Sequence, residues 1–123
     1  MGSENYCILV VDDTPFLREL AAVFLVRSGR VLTASTGHEA LLLARRERPD
    51  LILSDLHMPD VSGAELCRAI KRDPQLEDTP FVMLIAGESA QDRALSVRAG
   101  ADDLLNKPLE RTDLTETVAH PVT

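Results

Sequence analysis

The sequence predicts a doubly wound α/β domain, in which helices cover both faces of one parallel sheet. Short apolar runs alternate along the chain with segments of helical periodicity, as in repeated βαβ units. The chain has 123 residues, 45% of them hydrophobic, which is enough for one core but too little for two ordinary domains. We therefore expect a single domain over residues 1–123, with an ordered core over about residues 5–119.

Five apolar runs are predicted to be strands. They cover residues 7–11, 30–35, 50–55, 81–86 and 101–105. The first, third and fourth runs are continuous and apolar, which is typical of strands buried on both faces. The fifth run is weaker and interrupted by charge, so we expect it to lie at or near an edge of the sheet.

Five helices are predicted after these strands. Thr14 and Pro15 provide a cap and a first-turn proline for the first helix, which should end near Gly29. The next three helices are expected over residues 38–48, 64–72 and 89–99, and Gly100 ends the last of them. A short fifth helix is expected over residues 110–119.

The composition limits the classes of partner and compartment. A net charge of −7 disfavours nucleic acids and anionic membranes as direct partners. No membrane span or basic N-terminal leader is evident, so we expect a cytoplasmic protein. Cys7 and Cys67 show no disulfide or zinc spacing and should be buried, reduced thiols. The chain could be a free-standing protein or one module of a longer protein, and the abrupt ending over residues 120–123 favours the module.

Four charged residues follow or end the predicted strands. Asp12 and Asp13 come after the first strand, Asp55 ends the third, and Lys107 follows the fifth. Ligands of open parallel sheets bind beyond the carboxyl ends of the strands, where the strand order reverses. An Asp-Asp pair after a strand is by itself an ordinary turn composition. Because all four positions share one sheet edge, we predict a site in which three carboxylates meet one amine.

This site is predicted to hold Mg²⁺ and to accept a phosphoryl group. Carboxylates this close repel one another, and a hard divalent cation with oxygen ligands relieves the repulsion. No His/Cys cluster favours a transition metal. A carboxylate can attack phosphorus if the phosphoryl oxygens are neutralised, here by Mg²⁺ and Lys107. Asp55 is the best nucleophile candidate, since Asp12 and Asp13 sit together as a metal-binding pair.

Four motifs carry a resemblance to a known family. They are ILVVDD at residues 8–13, DLILSDLHMPDVSG at 50–63, DRALSVRAGADD at 92–103 and NKP at 106–108. Together they resemble the receiver domains of two-component response regulators, relatives of the chemotaxis response regulator. The resemblance covers nearly the whole chain. It implies a flavodoxin-like sheet of strand order 2-1-3-4-5 with five helices.

The resemblance also implies roles for individual residues and partners. Asp55 would be the phosphoacceptor, and Asp12, Asp13, Asp55 and the His57 backbone carbonyl would bind Mg²⁺. Lys107 and the Ala86 backbone N–H would contact the phosphoryl group. A histidine kinase or phosphotransfer protein would supply that group, and a downstream protein or fused output domain would respond. The family often pairs through its helix 4 to helix 5 face, so a homodimer of that kind is also expected.

Two positions depart from the family pattern. Ile85 stands where strand four usually has Thr or Ser, and Leu104 stands where strand five usually has a switch Tyr or Phe. The usual relay, in which a hydroxyl moves toward phosphate and an aromatic ring swings inward, therefore lacks both its groups. We expect the two apolar side chains to extend the core, and the phosphoryl-dependent change to be small or to take another route.

The histidines contribute little to the predicted site. The His57 side chain could influence water attack on an acyl phosphate, but we favour a solvated side chain, because only the backbone is placed by the motif. His38 and His120 are expected on helix surfaces without partners.

Two other classes of function compete with phosphoacceptance. A pseudo-receiver, acting as a phosphorylation-independent protein-binding module, is favoured by Ile85 and Leu104 but not by the complete set of Asp12, Asp13, Asp55 and Lys107. An aspartate-based phosphatase would need a carboxylate where His57 stands, and a flavin protein would need a neutral phosphate-binding loop after strand one. We therefore expect no enzyme acting on an outside substrate.

Overall fold

A computed structural model describes residues 6–25, 29–86 and 89–107. These residues form five strands and four helices in strict alternation. The elements are β1 (Cys7–Val11), α1 (Pro15–Leu25), β2 (Arg30–Ala34), α2 (Gly37–Glu47), β3 (Leu51–Asp55), α3 (Gly63–Arg72), β4 (Phe81–Ala86), α4 (Ala90–Ala99) and β5 (Asp103–Lys107). The predicted fifth helix, at residues 110–119, lies outside the described residues.

The five strands form one parallel sheet in the order β2-β1-β3-β4-β5. This is the predicted flavodoxin-like order. The chain moves from β1 to one side for β2 and to the other side for β3, so the strand order reverses between β1 and β3. Every residue of β1 and β3 is buried, as their continuous apolar sequences indicate. β5 is an edge strand, also as predicted.

Apolar side chains cover both faces of the sheet. Successive residues of a strand point to opposite faces, so alternate residues belong to different clusters. Leu9, Ile52 and Met83 pack on one face with residues of α2, α3 and α4. Ile8, Leu53 and Val82 pack on the other face, where α1 contributes Ala21. The described residues thus confirm that the sheet is doubly wound.

Local caps set the start and end of the described helices. Thr36 and Ser89 cap α2 and α4, and each side-chain oxygen accepts a hydrogen bond from the third residue beyond it. Ser62 forms a reciprocal capping box with Glu65, so α3 begins at Gly63, a residue that the sequence placed in the preceding loop. α4 ends at Gly100, whose φ of 102° favours glycine.

The predicted position of β5 was wrong by two residues. The apolar residues Leu104 and Leu105 suggested a strand over residues 101–105, but β5 covers Asp103–Lys107. Its register explains the shift, because Asp103 pairs with Val82 and Lys107 pairs with Ala86, the last residue of β4. Lys107 is therefore the last residue of the strand and does not follow it.

Two further predictions concern the cysteines and membranes. Cys7 and Cys67 are both buried free thiols, as expected. None of the helices in the described part of the chain has the length and apolar character that crossing a membrane requires.

Candidate functional site

The acidic residues that follow β1 and end β3 meet at one edge of the sheet. Asp12 and Asp13 come directly after β1, and Asp55 is the last residue of β3, the neighbouring strand. One carboxylate oxygen from each of the three lies within 4.8 Å of the others. The predicted convergence of Asp12, Asp13 and Asp55 is confirmed.

Asp12 is the most constrained of the three carboxylates. It is fully buried, and neither of its side-chain oxygens has a hydrogen-bond partner among the described residues. Burial of the charged form, followed by the neighbouring Asp55 carboxylate, raises the pKa of Asp12 to about 7. A buried carboxylate without donors is costly, and a divalent cation supplies the missing compensation. Asp13 is exposed, so the three-carboxylate cluster opens to solvent on its side.

Lys107 completes the predicted set of charged residues. Its Nζ lies 2.9 Å from Asp55 Oδ2, although β4 separates the two strands that carry them. The Asp55 side chain is 4% exposed and that of Lys107 is 29% exposed. The ammonium group therefore stands at the mouth of the site, with its charge directed at the buried carboxylate.

The loop between β3 and α3 carries His57 over the site. The His57 N–H donates to Asp55 Oδ1 at 3.4 Å, a long hydrogen bond. Its side chain is 66% exposed, but Nε2 lies 3.1 Å from Asp92 Oδ2 in the first turn of α4. The expectation of a merely solvated His57 was thus incomplete, because the imidazole joins two elements. The proposed metal-binding role of its backbone carbonyl stays a prediction.

Two residues of this loop fix its path. Gly63 lies so close to β3 that an added Cβ would be 2.3 Å from the Asp55 carbonyl oxygen. Asp60 accepts hydrogen bonds from the backbone N–H groups of Gly37 and His38, which joins the loop to the start of α2. No sequence pattern indicated a role for Asp60 or Asp92. Asp60 resembles an ordinary aspartate in a loop, and Asp92 resembles an ordinary acidic residue in the first turn of a helix.

The two altered positions lie in one apolar cluster. Ile85 is fully buried, and Leu104 is half-buried and packs against the same cluster. This confirms that both extend the core. Ala86 is the last residue of β4, is exposed, and pairs in register with Lys107. Its backbone N–H is thus at the correct edge of the sheet, while its contact with a phosphoryl group stays a prediction.

The site combines a metal-binding cluster with a nucleophile candidate. Oxygen ligands on an acidic, half-open edge suit Mg²⁺, which keeps several waters. Asp55 lies between that cluster and the Lys107 ammonium group, so an incoming phosphoryl group would meet positive charge on both sides once a cation is bound.

Comparison with known proteins agrees with this geometry. The family model described as "Response regulator receiver domain" matches residues 8–119. The alkaline phosphatase synthesis transcriptional regulatory protein PhoP of Bacillus subtilis is 38% identical over 115 residues. The match covers 93% of this chain but 47% of that regulator, so the chain spans about half the length of this relative.

Solved structures show the same fold. The chemotaxis response regulator CheY4 of Vibrio cholerae has a TM-score of 0.86 and 32% identity, covering 93% of this chain and 96% of that one. The receiver domain of sensor histidine kinase PA1611 from Pseudomonas aeruginosa has a TM-score of 0.86 and 29% identity, covering 96% of this chain and 95% of that one. That structure has a magnesium ion coordinated in the active site cleft.

Proposed function

Because the chain belongs to the response regulator receiver family, we propose that it accepts a phosphoryl group onto Asp55 from a histidine kinase or a phosphotransfer protein. One observation carries the proposal. The Asp12, Asp13 and Asp55 carboxylates lie within 4.8 Å of one another, and the Lys107 ammonium lies 2.9 Å from Asp55. A nucleophile thus stands between a cation site and a fixed positive charge.

The residues at this edge fit Mg²⁺. Neither side-chain oxygen of buried Asp12 has a partner within the described part of the chain, which leaves a negative charge that a hard cation would compensate. Asp12, Asp13, Asp55 and the His57 backbone carbonyl would hold the ion. Bound there, it would neutralise negative charge on the phosphoryl oxygens. The magnesium ion in the PA1611 receiver domain, a structural neighbour, supports this assignment.

The transfer itself requires little acid-base chemistry. An Asp55 carboxylate oxygen forms a bond to phosphorus as the phosphorus–nitrogen bond of the donor phosphohistidine breaks. The leaving imidazole keeps the electron pair and takes a proton from solvent. Lys107 stays cationic and pairs with a phosphoryl oxygen, to which the Ala86 N–H also donates. Later attack by water returns the free Asp55 carboxylate and inorganic phosphate, so no outside substrate is processed.

Mass spectrometry of the intact protein tests this proposal. The protein is incubated with Mg²⁺ and either acetyl phosphate or phosphoramidate, and is then weighed. We expect one added phosphoryl group in the wild type. Asp55→Asn should add none, since an amide is a poor nucleophile, and omission of Mg²⁺ should reduce the yield strongly. An unmodified wild-type protein in the presence of Mg²⁺ would overturn the proposal.

A second candidate is a protein-binding module that works without phosphorylation. It is favoured by Ile85 and Leu104, which remove the hydroxyl and the aromatic ring of the usual relay. The same mass measurement separates the two functions, since only a phosphoacceptor gains mass at Asp55. The complete charged set of Asp12, Asp13, Asp55 and Lys107 favours phosphoacceptance.

The partners and compartment follow from the proposed function. We propose a cytoplasmic protein whose downstream partner is another protein or a fused output domain, since relatives such as PhoP extend well beyond the matched segment. Direct nucleic-acid binding by this domain is disfavoured by its net charge of −7. Pairing of two copies through the face of α4 and the predicted fifth helix remains part of the proposal.

A further inference from the structure

Each carboxylate oxygen of Asp55 is connected to the first turn of α4 by a separate set of contacts. We call them the His57 arm, formed by His57 and Asp92, and the Asn106 arm, formed by Lys107, Asn106 and Arg93. Asp92 and Arg93 are neighbours in α4. The two arms therefore form a closed ring that begins and ends on the proposed phosphoacceptor.

The His57 arm starts at Asp55 Oδ1. This oxygen accepts the 3.4 Å hydrogen bond from the His57 N–H, and the His57 Nε2 lies 3.1 Å from Asp92 Oδ2. A neutral imidazole with its proton on Nε2 can donate this bond, so the contact does not require an imidazolium. Because the histidine is mostly exposed, the contact is weak and easily exchanged for water.

The Asn106 arm starts at Asp55 Oδ2. This oxygen accepts from Lys107 Nζ at 2.9 Å, and the residue before Lys107 in β5 is Asn106. Asn106 Oδ1 accepts from Arg93 Nη2 at 3.4 Å, which joins the edge strand to α4. This contact is also exposed and long, so it too can open at little cost.

Asp92 is not needed to cap the helix. The cap of α4 is Ser89, whose Oγ accepts from the Asp92 backbone N–H, and the Asp92 carbonyl accepts from Ser96 Oγ. Both bonds use the backbone of Asp92, while its carboxylate is directed at His57. The side chain thus has a partner outside its own helix and can be removed without removing the cap.

We propose that the first turn of α4 senses the state of Asp55 through these two arms, in place of the hydroxyl and aromatic relay that Ile85 and Leu104 cannot provide. This inference rests on the proposed function. Phosphorylation turns the Asp55 carboxylate into an acyl phosphate and moves the negative charge to the phosphoryl oxygens. This weakens the His57 N–H bond to the acyl oxygen and attracts Lys107 away from Oδ2. Both arms change together, so a local rearrangement at residues 89–93 follows without movement of the whole helix.

Nuclear magnetic resonance of the ¹⁵N-labelled protein tests the inference. The probe is beryllofluoride with Mg²⁺, a mimic of the phosphoryl group, and loading is followed independently by the ¹⁹F signal of bound fluoride. Five proteins are compared: the wild type, Asp92→Ala, His57→Ala, the double variant of these two, and Asp78→Ala. Asp78 is an exposed acid in the turn before β4, so its variant removes the same charge away from the site.

We expect loading to shift the wild-type amide signals of residues 89–93. These shifts should fall by about twofold or more in Asp92→Ala and in His57→Ala. In the double variant the shifts should be little smaller than in either single variant, because both substitutions break the same His57–Asp92 contact. Signals of Asp55 and Leu56 should still shift in Asp92→Ala, and Asp78→Ala should match the wild type.

Three outcomes overturn the inference and are distinguishable. If Asp55 and Leu56 respond but residues 89–93 do not, neither arm carries a signal. If residues 89–93 respond equally in Asp92→Ala, the His57 arm carries none. In either case the proposed two-arm sensing is wrong while phosphoacceptance stands. If no bound ¹⁹F signal appears and no site amide moves in the wild type, phosphoacceptance fails and the inference fails with it.

Discussion

Aspartates lie at both edges of the sheet, but they meet opposite surroundings. At the amino edge, Asp50 Oδ2 accepts from the Cys7 N–H at 2.7 Å, and Asp102 Oδ2 accepts from the Phe81 N–H at 2.8 Å and from Lys71 Nζ at 2.7 Å. At the carboxyl edge, buried Asp12 has no partner for either oxygen among the described residues. Asp12 is thus left unsatisfied, unlike Asp50 and Asp102 at the amino edge. It also differs from Asp55 at its own edge, which accepts from the His57 N–H and from Lys107 Nζ.

The direction of the strands explains this difference. In a parallel sheet every strand starts at one edge with free N–H groups and ends at the other with free carbonyl groups. Asp50 and Asp102, which precede β3 and β5, accept from the N–H groups of the first residues of neighbouring strands, whereas Asp12 finds no such donor among the described residues. An outside cation would compensate Asp12, so the proposed ligand site lies at the edge that carries the unsatisfied carboxylate.

The same substitution at the two edges should have opposite effects on stability. Without Mg²⁺ at pH 8, we expect Asp12→Asn to raise the free energy of unfolding by about 1–3 kcal/mol, since it removes a buried charge without donors. Asp102→Asn should lower it by about 1 kcal/mol, since it weakens a charge-assisted contact with Lys71. Urea unfolding measures both values.

Binding of Mg²⁺ provides the control for this pair. Asp12→Asn should lower Mg²⁺ affinity by about tenfold or more, or ~1.4 kcal/mol of binding free energy, while Asp102→Asn should leave it unchanged. Isothermal titration measures the affinity. A destabilised Asp12→Asn protein with wild-type Mg²⁺ affinity would contradict the contrast between the edges.

Substitution of two glycines compares backbone packing next to the site with backbone packing away from it. Gly63→Ala places a Cβ 2.3 Å from the Asp55 carbonyl oxygen and 2.8 Å from Met83 Sδ, so we expect a loss of about 1–3 kcal/mol and lower Mg²⁺ affinity. Gly100→Ala meets only Lys71 Cγ at 3.4 Å and should cost about 1 kcal/mol through its positive φ. Thermal unfolding and Mg²⁺ titration check both, and equal Mg²⁺ affinities would refute the site-specific effect of Gly63.

The raised pKa of Asp12 predicts a pH-dependent stability. The pKa is about 7 in the folded protein, against the ordinary value of 3.8, so the folded state holds a proton that the unfolded state releases. Without Mg²⁺, the contribution of Asp12 is fully present below pH 4 and is lost as pH rises through 7, by at most about 1.4 kcal/mol per pH unit.

The part of the pH dependence that comes from Asp12 is obtained by comparing the wild type with Asp12→Asn. The free energy of unfolding of the wild type minus that of Asp12→Asn, measured from pH 5 to 8 without Mg²⁺, should fall with pH, and saturating Mg²⁺ should remove the fall. A difference that stays constant with pH would show that Asp12 remains ionised throughout.

Much of the molecule could be predicted from short stretches of sequence. The alternation of apolar runs and helical periodicity predicted five parallel strands, and Gly100 was predicted to stop the fourth helix. Thr36 and Ser89 were not predicted as caps, so the starts of α2 and α4 were each placed one residue away from their observed positions. The site residues Asp12, Asp13, Asp55 and Lys107 were predictable because strand ends in such a fold share one edge. The error in β5 arose because Asn106 and Lys107 carry no apolar signal, and their strand conformation comes from pairing with β4.

The amino-acid sequence by itself determined the alternation of strands and helices, the acidic strand ends and the apolar residues at positions 85 and 104, since each depends on residue type at a fixed place in the chain. The strand order was predicted only through the resemblance to a known family. Tertiary structure alone decided which aspartate carboxylates have hydrogen-bond partners. It also decided that His57 meets Asp92, 35 residues away, and that Arg93 meets Asn106. These contacts depend on the distance between side chains of separate elements, which no local pattern encodes.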